Sequence, residues 1–163
     1  MKKSLLSYAA YNLWANKKLV EVITGLDESL SFTPVTSSFP NIFLTVEHIW
    51  QAELAWLLRI QQVPPTTKPE FPDKDIQALL NTWLLQSKAW EAFIEQATEE
   101  QFEEMVAYKS WQGIPFTTPL WQIAQHVFNH STFHRGQLIT MLRTLGVTSF
   151  PQTDYIAFAR EVG

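Results

Sequence analysis

The 163-residue chain has no cysteine, which excludes disulfides, thiolate metal ligands and a cysteine nucleophile together. Any reactive site must therefore use His, Asp, Glu or hydroxyls. Basic residues are also few: 12 Lys and Arg against 16 Asp and Glu leave a formal net charge of −4 and a pI near 5.5. They are scattered, so nothing attracts nucleic-acid phosphates or anionic lipid, and neither nucleic acid nor membrane is an expected partner. Long apolar runs are missing as well. No window approaches the roughly 20 apolar residues of a spanning helix. The amino terminus begins like a signal peptide, but Tyr8, Tyr11, Asn12 and Asn16 interrupt the apolar stretch early. A cytoplasmic protein is the simplest reading.

What the chain does have is apolar and aromatic. Hydrophobic residues make up 46% and charged residues 17%, with 7 Trp and 11 Phe, so the interior must be aromatic-rich. At this length a single domain, residues 1–163, is expected.

The spacing of Leu6, Ala9, Leu13, Ala15, Leu19, Val20 and Ile23 predicts a helix from Leu5 to Ile23, with Gly25 as its stop. A Ser-, Thr- and Pro-rich connection, Ser29 to Pro40, leads to Asn41, the expected cap of a second helix reaching Gln61, where Pro64 and Pro65 end it. Asp73 is the expected cap of a third helix running to Ala97. Between Phe102 and Phe116 the pattern weakens toward a short hairpin or an irregular excursion. Thr118-Pro119 reads as N-cap and first residue of a fourth helix running to Leu145, closed by Gly146. Thr153 to Glu161 predicts a short final helix. Four long helices without alternating strands imply an all-α four-helix bundle with a small β-hairpin insert before the last long helix.

Three of the four histidines, His126, His130 and His134, lie in that last helix. Four-residue spacing sets two imidazoles a turn apart on one face, close enough to share an ion. His130 and His134 fall inside the apolar stripe of Leu120, Ile123, Val127, Leu138, Met141 and Leu145, whereas His126 lies to one side. Two imidazoles in a core stripe lose hydration, and a metal ion offsets that loss; the alternative is a pair of core histidines bonded to carbonyls or hydroxyls. His126 reads as a rim residue. A stable site needs a third protein ligand, and only His48 remains among the histidines. His48 stands off the apolar stripe of its own helix, which also fits an exposed residue, although Thr45, Ala52 and Ala55 on its side are small enough to leave room for a pocket.

At His126 to Leu138, with the run His134-Arg135-Gly136-Gln137, the chain resembles the DinB-like family of bacterial proteins. Tyr11-Asn12-Leu13-Trp14-Ala15-Asn16 and the segment from His48-Ile49 to Glu53 and Trp56 carry the same resemblance in the same order. That family belongs to a larger group that includes transferases using bacillithiol or mycothiol. The resemblance implies an up-down-down-up bundle, a metal held by His48, His130 and His134, and a homodimer. An aromatic content above what a small core absorbs agrees with the dimer.

Three neutral imidazoles suit zinc or nickel and leave a position open to a small-molecule substrate. Such a site can activate a water or an incoming thiol, and the resemblance favours a low-molecular-weight thiol and S-transferase chemistry. A hydrolase and a non-catalytic dimerising or ligand-binding module are the alternatives. Glu53 is a candidate proton acceptor, or a surface carboxylate. Arg135 is a candidate for recognising a carboxylate on the thiol, or a residue that solvates a helix flank or pairs at a dimer seam. Trp14, Asn16, Trp56 and His126 complete the candidate binding residues, the aromatics being core residues in the alternative.

Overall fold

The computed structural model describes residues 1–63 and 67–162. Four long helices, α1 (Lys2–Thr24), α2 (Ile42–Ile60), α3 (Ile76–Gln96) and α4 (Leu120–Thr144), are followed by a short α5 (Tyr155–Val162). A hairpin of β1 (Met105–Lys109) and β2 (Pro115–Pro119) precedes α4, antiparallel, with Val106 opposite Thr118 and Tyr108 opposite Phe116. Among the described residues no helix is long and apolar enough to cross a membrane.

The helix directions follow from two apolar clusters. One joins Leu19 and Ile23 at the end of α1, Ile42 and Val46 at the start of α2, Leu79 and Trp83 at the start of α3, and Leu138 and Met141 at the end of α4. The other joins the opposite helix ends, through Leu5, Leu57, Trp90, Ile94, Leu120 and Ile123. Helices α1 and α4 therefore run toward the first cluster while α2 and α3 start from it, an up-down-down-up bundle. Each long helix packs on two others in the cyclic order α1, α3, α2, α4. Consecutive pairs α1/α2 and α3/α4 thus face one another diagonally, which explains their long connections.

Helix ends show where local signals hold and where pairing overrides them. The Asn41 side chain accepts from the Leu44 amide at 2.9 Å, as the sequence predicts for a cap. Helix α3 is capped by Asp75, not Asp73: the Asp75 carboxylate accepts from the Ala78 amide at 2.9 Å. Helix α2 closes before the prolines, with the Gln62 amide on the Arg59 carbonyl, the Val63 amide on the Leu58 carbonyl, and Gln62 at φ 59. That is a Schellman closure with glutamine where glycine is usual; Pro64 and Pro65 lie outside the described residues. Gly146, at φ +91, completes the same closure for α4. Gly25 ends α1 in ordinary right-handed geometry, at φ −80, and not as a left-handed stop.

Thr118 and Pro119 do not start α4 as cap and first residue. Both belong to β2, and the Thr118 hydroxyl is bonded to Tyr108 Oη at 3.2 Å. Strand pairing takes the hydroxyl that a cap would use, and α4 begins at Leu120 with no side-chain cap.

Between the two apolar clusters lies a polar layer built from all four long helices. Glu53, fully buried, accepts from Asn12 Nδ2 at 2.9 Å, Ser87 Oγ at 2.8 Å and Ser131 Oγ at 3.1 Å. Arg135, also buried, donates to Asn12 Oδ1 at 2.6 Å, Asn16 Oδ1 at 2.9 Å and Thr132 Oγ1 at 2.7 Å. Asn16 Nδ2 donates to Ser87 Oγ at 2.9 Å and closes the circuit. Such a layer holds the helices in register, because sliding one of them by a turn would leave buried charges unpaired.

Candidate metal centre

Helices α2 and α4 lie side by side, so residues at matching heights on their facing sides meet. His48 of α2 and His130 and His134 of α4 do so: His130 Nε2 is 3.1 Å from His48 Nε2 and 3.2 Å from His134 Nε2. One nitrogen from each of the three lies within 4.8 Å of the others. The ring planes are steeply inclined to one another, at 60°, 68° and 78°.

Hydrogen bonds alone do not account for this arrangement. A ring nitrogen has a single in-plane position, which serves one proton or one lone pair, so His130 Nε2 cannot satisfy both neighbours. A cation between the rings accepts all three lone pairs. At tetrahedral metal–nitrogen distances of ~2.1 Å the nitrogens of such a site stand ~3.4 Å apart, close to the spacings found here. His134 Nδ1 meets Gln137 Oε1 at 2.8 Å, the outer bond that fixes a metal-binding tautomer. Gln137 in turn donates to Ser38 Oγ at 2.8 Å, tying the α1–α2 connection to the site. From the same connection, Phe39 lies against His48, ring centroids 4.4 Å apart, and against His134 at 5.8 Å. The Nδ1 atoms of His48 and His130 are buried without a partner among the described residues.

The electrostatics keep the rings neutral. Burial, followed by the neighbouring His134, lowers the pKa of His48 to about 4; the same two causes, with His48 and His126 adding to them, lower that of His130 to about 3. Burial also lowers that of His134, against the Gln137 bond. Neutral imidazoles are the ligating form, so all three nitrogens are available to a divalent ion at neutral pH.

His48 and His130 line a cavity of about 310 Å³, within the range of small-molecule sites, with His134 behind them. Ala52 and Ala55 lie along its α2 wall, so the small residues beside His48 do leave space. Trp56 and His126 also line it, their rings 5.4 Å apart. Four other candidates are placed elsewhere. Glu53 and Arg135 belong to the polar layer, with Glu53 reaching the histidine helix only through Ser131. Burial raises the pKa of the Glu53 carboxyl, opposed by its three hydrogen bonds and by Arg135. Asn16 is in the same layer, and Trp14 packs on Phe158 while donating to Glu161 at 3.0 Å. The cavity also holds residues that sequence reasoning missed: Gln51, Arg59 and Lys68, with Tyr108 and Trp111 from the hairpin. Trp56 and Arg59, three apart on one helix face, were the only local signal.

The DinB family model matches residues 1–161. This chain belongs to the DinB family. Protein DinB of Bacillus subtilis is 27% identical over 153 residues, covering 89% of this chain and 87% of that protein. A DinB-like protein of Bacillus cereus superposes with a TM-score of 0.71 at 18% identity, over 92% of this chain and 95% of that one. YfiT of Bacillus subtilis superposes with a TM-score of 0.68 at 16% identity, over 91% of each chain. YfiT is described as a probable metal-dependent hydrolase with an unusual four-helix bundle topology. The fold is thus shared over about nine-tenths of the chain.

Proposed function

We propose that this DinB-family protein is a metal-dependent enzyme that holds one zinc or nickel ion on His48, His130 and His134 and acts on a small molecule bound in the adjoining cavity. The single observation that carries the reading is the convergence of three neutral imidazole nitrogens, from two helices, two of which, those of His48 and His130, belong to residues lining that cavity. A divalent ion held there supplies Lewis-acid chemistry, lowering the pKa of a thiol or a water that shares it. The chain's own part is to fix the rings, through Gln137 and the packing of Phe39, and to line the pocket with the apolar faces of Trp56 and Tyr108.

A thiol S-transferase is the preferred activity, resting on the resemblance to thiol-dependent transferases. Since the chain has no cysteine, the thiol would arrive on a low-molecular-weight cofactor. A hydrolase is the second reading, favoured by the description of YfiT. Elemental analysis of the purified protein tests the metal, with about one zinc or nickel per chain expected. Turnover of small electrophiles with and without added thiols then separates the activities. A folded protein that takes up neither ion at neutral pH would refute both.

A further inference from the structure

Arg59 stands in a setting that the metal chemistry does not explain. It lies on α2 three turns beyond His48, on the same cavity, and only 8% of its surface is exposed. Its guanidinium lies over two indoles, 4.7 Å from the ring of Trp56 and 4.7 Å from that of Trp111. Tyr108 is a third aromatic neighbour at 5.9 Å. Stacking on ring faces satisfies the flat sides of a guanidinium and leaves its N–H edge unserved. Among the described residues that edge donates to no side chain or carbonyl, and no carboxylate pairs with it; the ion pairs there join Met1 to Glu99 and Lys18 to Glu161. A cation so largely withdrawn from water and without an anion is costly.

The rest of the cavity points the same way. None of its lining residues is Asp or Glu, whereas Arg59 and Lys68 both line it. In a chain of net charge −4, this pocket is a local reversal of sign, and a divalent ion on the histidines would add to it. Field lines from such a pocket draw in anions.

We propose that Arg59 is the substrate-recognition residue of this cavity, receiving a carboxylate on a small molecule whose planar or apolar body lies against Trp56 and Tyr108 and whose other end reaches toward the histidines. The planar fork of arginine matches a carboxylate through two parallel hydrogen bonds, and the flanking indoles hold that fork in orientation. This names the substrate class for the proposed metal enzyme and rests on that reading of the cavity. Arg135, the arginine that the sequence offers for this task, is fully engaged with Asn12, Asn16 and Thr132.

The test is calorimetric titration of the zinc-reconstituted protein with naphthoate and with naphthamide, which share a body and differ in charge. Naphthoate is expected to bind at least roughly tenfold more tightly, about 1.4 kcal/mol. Arg59→Gln is expected to erase that preference while zinc content stays unchanged. Equal binding of the two probes, no binding of naphthoate at millimolar concentration, or a preference that survives Arg59→Gln would each overturn the proposal. The double variant His48→Ala, His130→Ala separates the two readings. A preference lost there but kept in Arg59→Gln puts the carboxylate on the ion, overturning the role of Arg59 and upholding the metal. A preference kept there and lost in Arg59→Gln upholds Arg59 whatever the fate of the metal reading. Should Arg59→Gln not fold, the arginine Nε–Hε resonance, shifted by its two indole neighbours, is read in the unmutated protein. Movement with naphthoate but not naphthamide is the expected result, and indifference to naphthoate refutes it.

Discussion

Glu53 and Arg135 grip the same amide from opposite ends: Asn12 donates to the Glu53 carboxylate at 2.9 Å and accepts from the Arg135 guanidinium at 2.6 Å. The two charges are thereby coupled across the bundle without an ion pair between them. One neutral side chain, on a third helix, makes the direct link, and Asn16 with Ser87 makes a second, longer one.

Removing that link should be costly. Asn12→Leu leaves a buried carboxylate and a buried guanidinium each short of a partner, and we expect a loss of about 3 to 5 kcal/mol in urea unfolding. Ser87→Ala, which deletes one of three bonds to Glu53, should lose about 1 kcal/mol. If both variants unfold at the parent's urea concentration, the layer contributes nothing to stability.

Gln137 should matter to the metal and little to the fold. Its bond to His134 Nδ1 orients the ring, so Gln137→Ala is expected to weaken zinc binding roughly 10- to 100-fold. The melting temperature of the metal-free protein should barely move. Competition with a chromophoric chelator reads the affinity, and unchanged affinity would remove Gln137 from the site.

Acid should destabilise the metal-free protein in a defined window. Unfolded histidine titrates near 6.5, whereas His48 is lowered to about 4 and His130 to about 3. As pH falls below 6.5 the unfolded chain takes up protons that the folded chain refuses, so stability declines with pH until the folded rings themselves titrate. Thermal melts between neutral pH and pH ~4 should show the decline. In the double variant His48→Gln, His130→Gln it should be shallower; equal slopes would show that these rings are not the cause.

The protein is expected to sediment as a homodimer. Phe133 on α4, and Ile114 and Phe116 at the hairpin, are large apolar side chains left exposed, and the family resemblance implies a homodimer. A monomer at high concentration in sedimentation equilibrium would contradict this.

The four helices were legible because each carries a 3.6-residue apolar stripe, and the bundle class followed from their number and the lack of alternating strands. The metal pair was legible for a related reason: His130 and His134 are on one helix, and their spacing needs no tertiary knowledge. His48 was not, since its meeting with them depends on how α2 and α4 pack, and only the family resemblance supplied it. Thr118 and Asp73 misled in the same way. Each carries a good capping side chain, but Thr118 was claimed by strand pairing and Asp73 lost to Asp75 two residues on. Arg59 was hidden for the strongest reason, because one of its flanking indoles, Trp111, comes from the hairpin some fifty residues later in the chain.

The hairpin carries part of the cavity wall. The three imidazoles are mounted on the bundle, whereas Tyr108 and Trp111, which also line the cavity, are mounted on the two-stranded flap of β1 and β2. The metal ligands and one share of the cavity wall therefore reside in parts that can vary independently, while Arg59 and Trp56 stay with the bundle. Exchanging the flap's sequence could retune which molecules are admitted while leaving the reactive centre, and the stability of the scaffold beneath it, as they are.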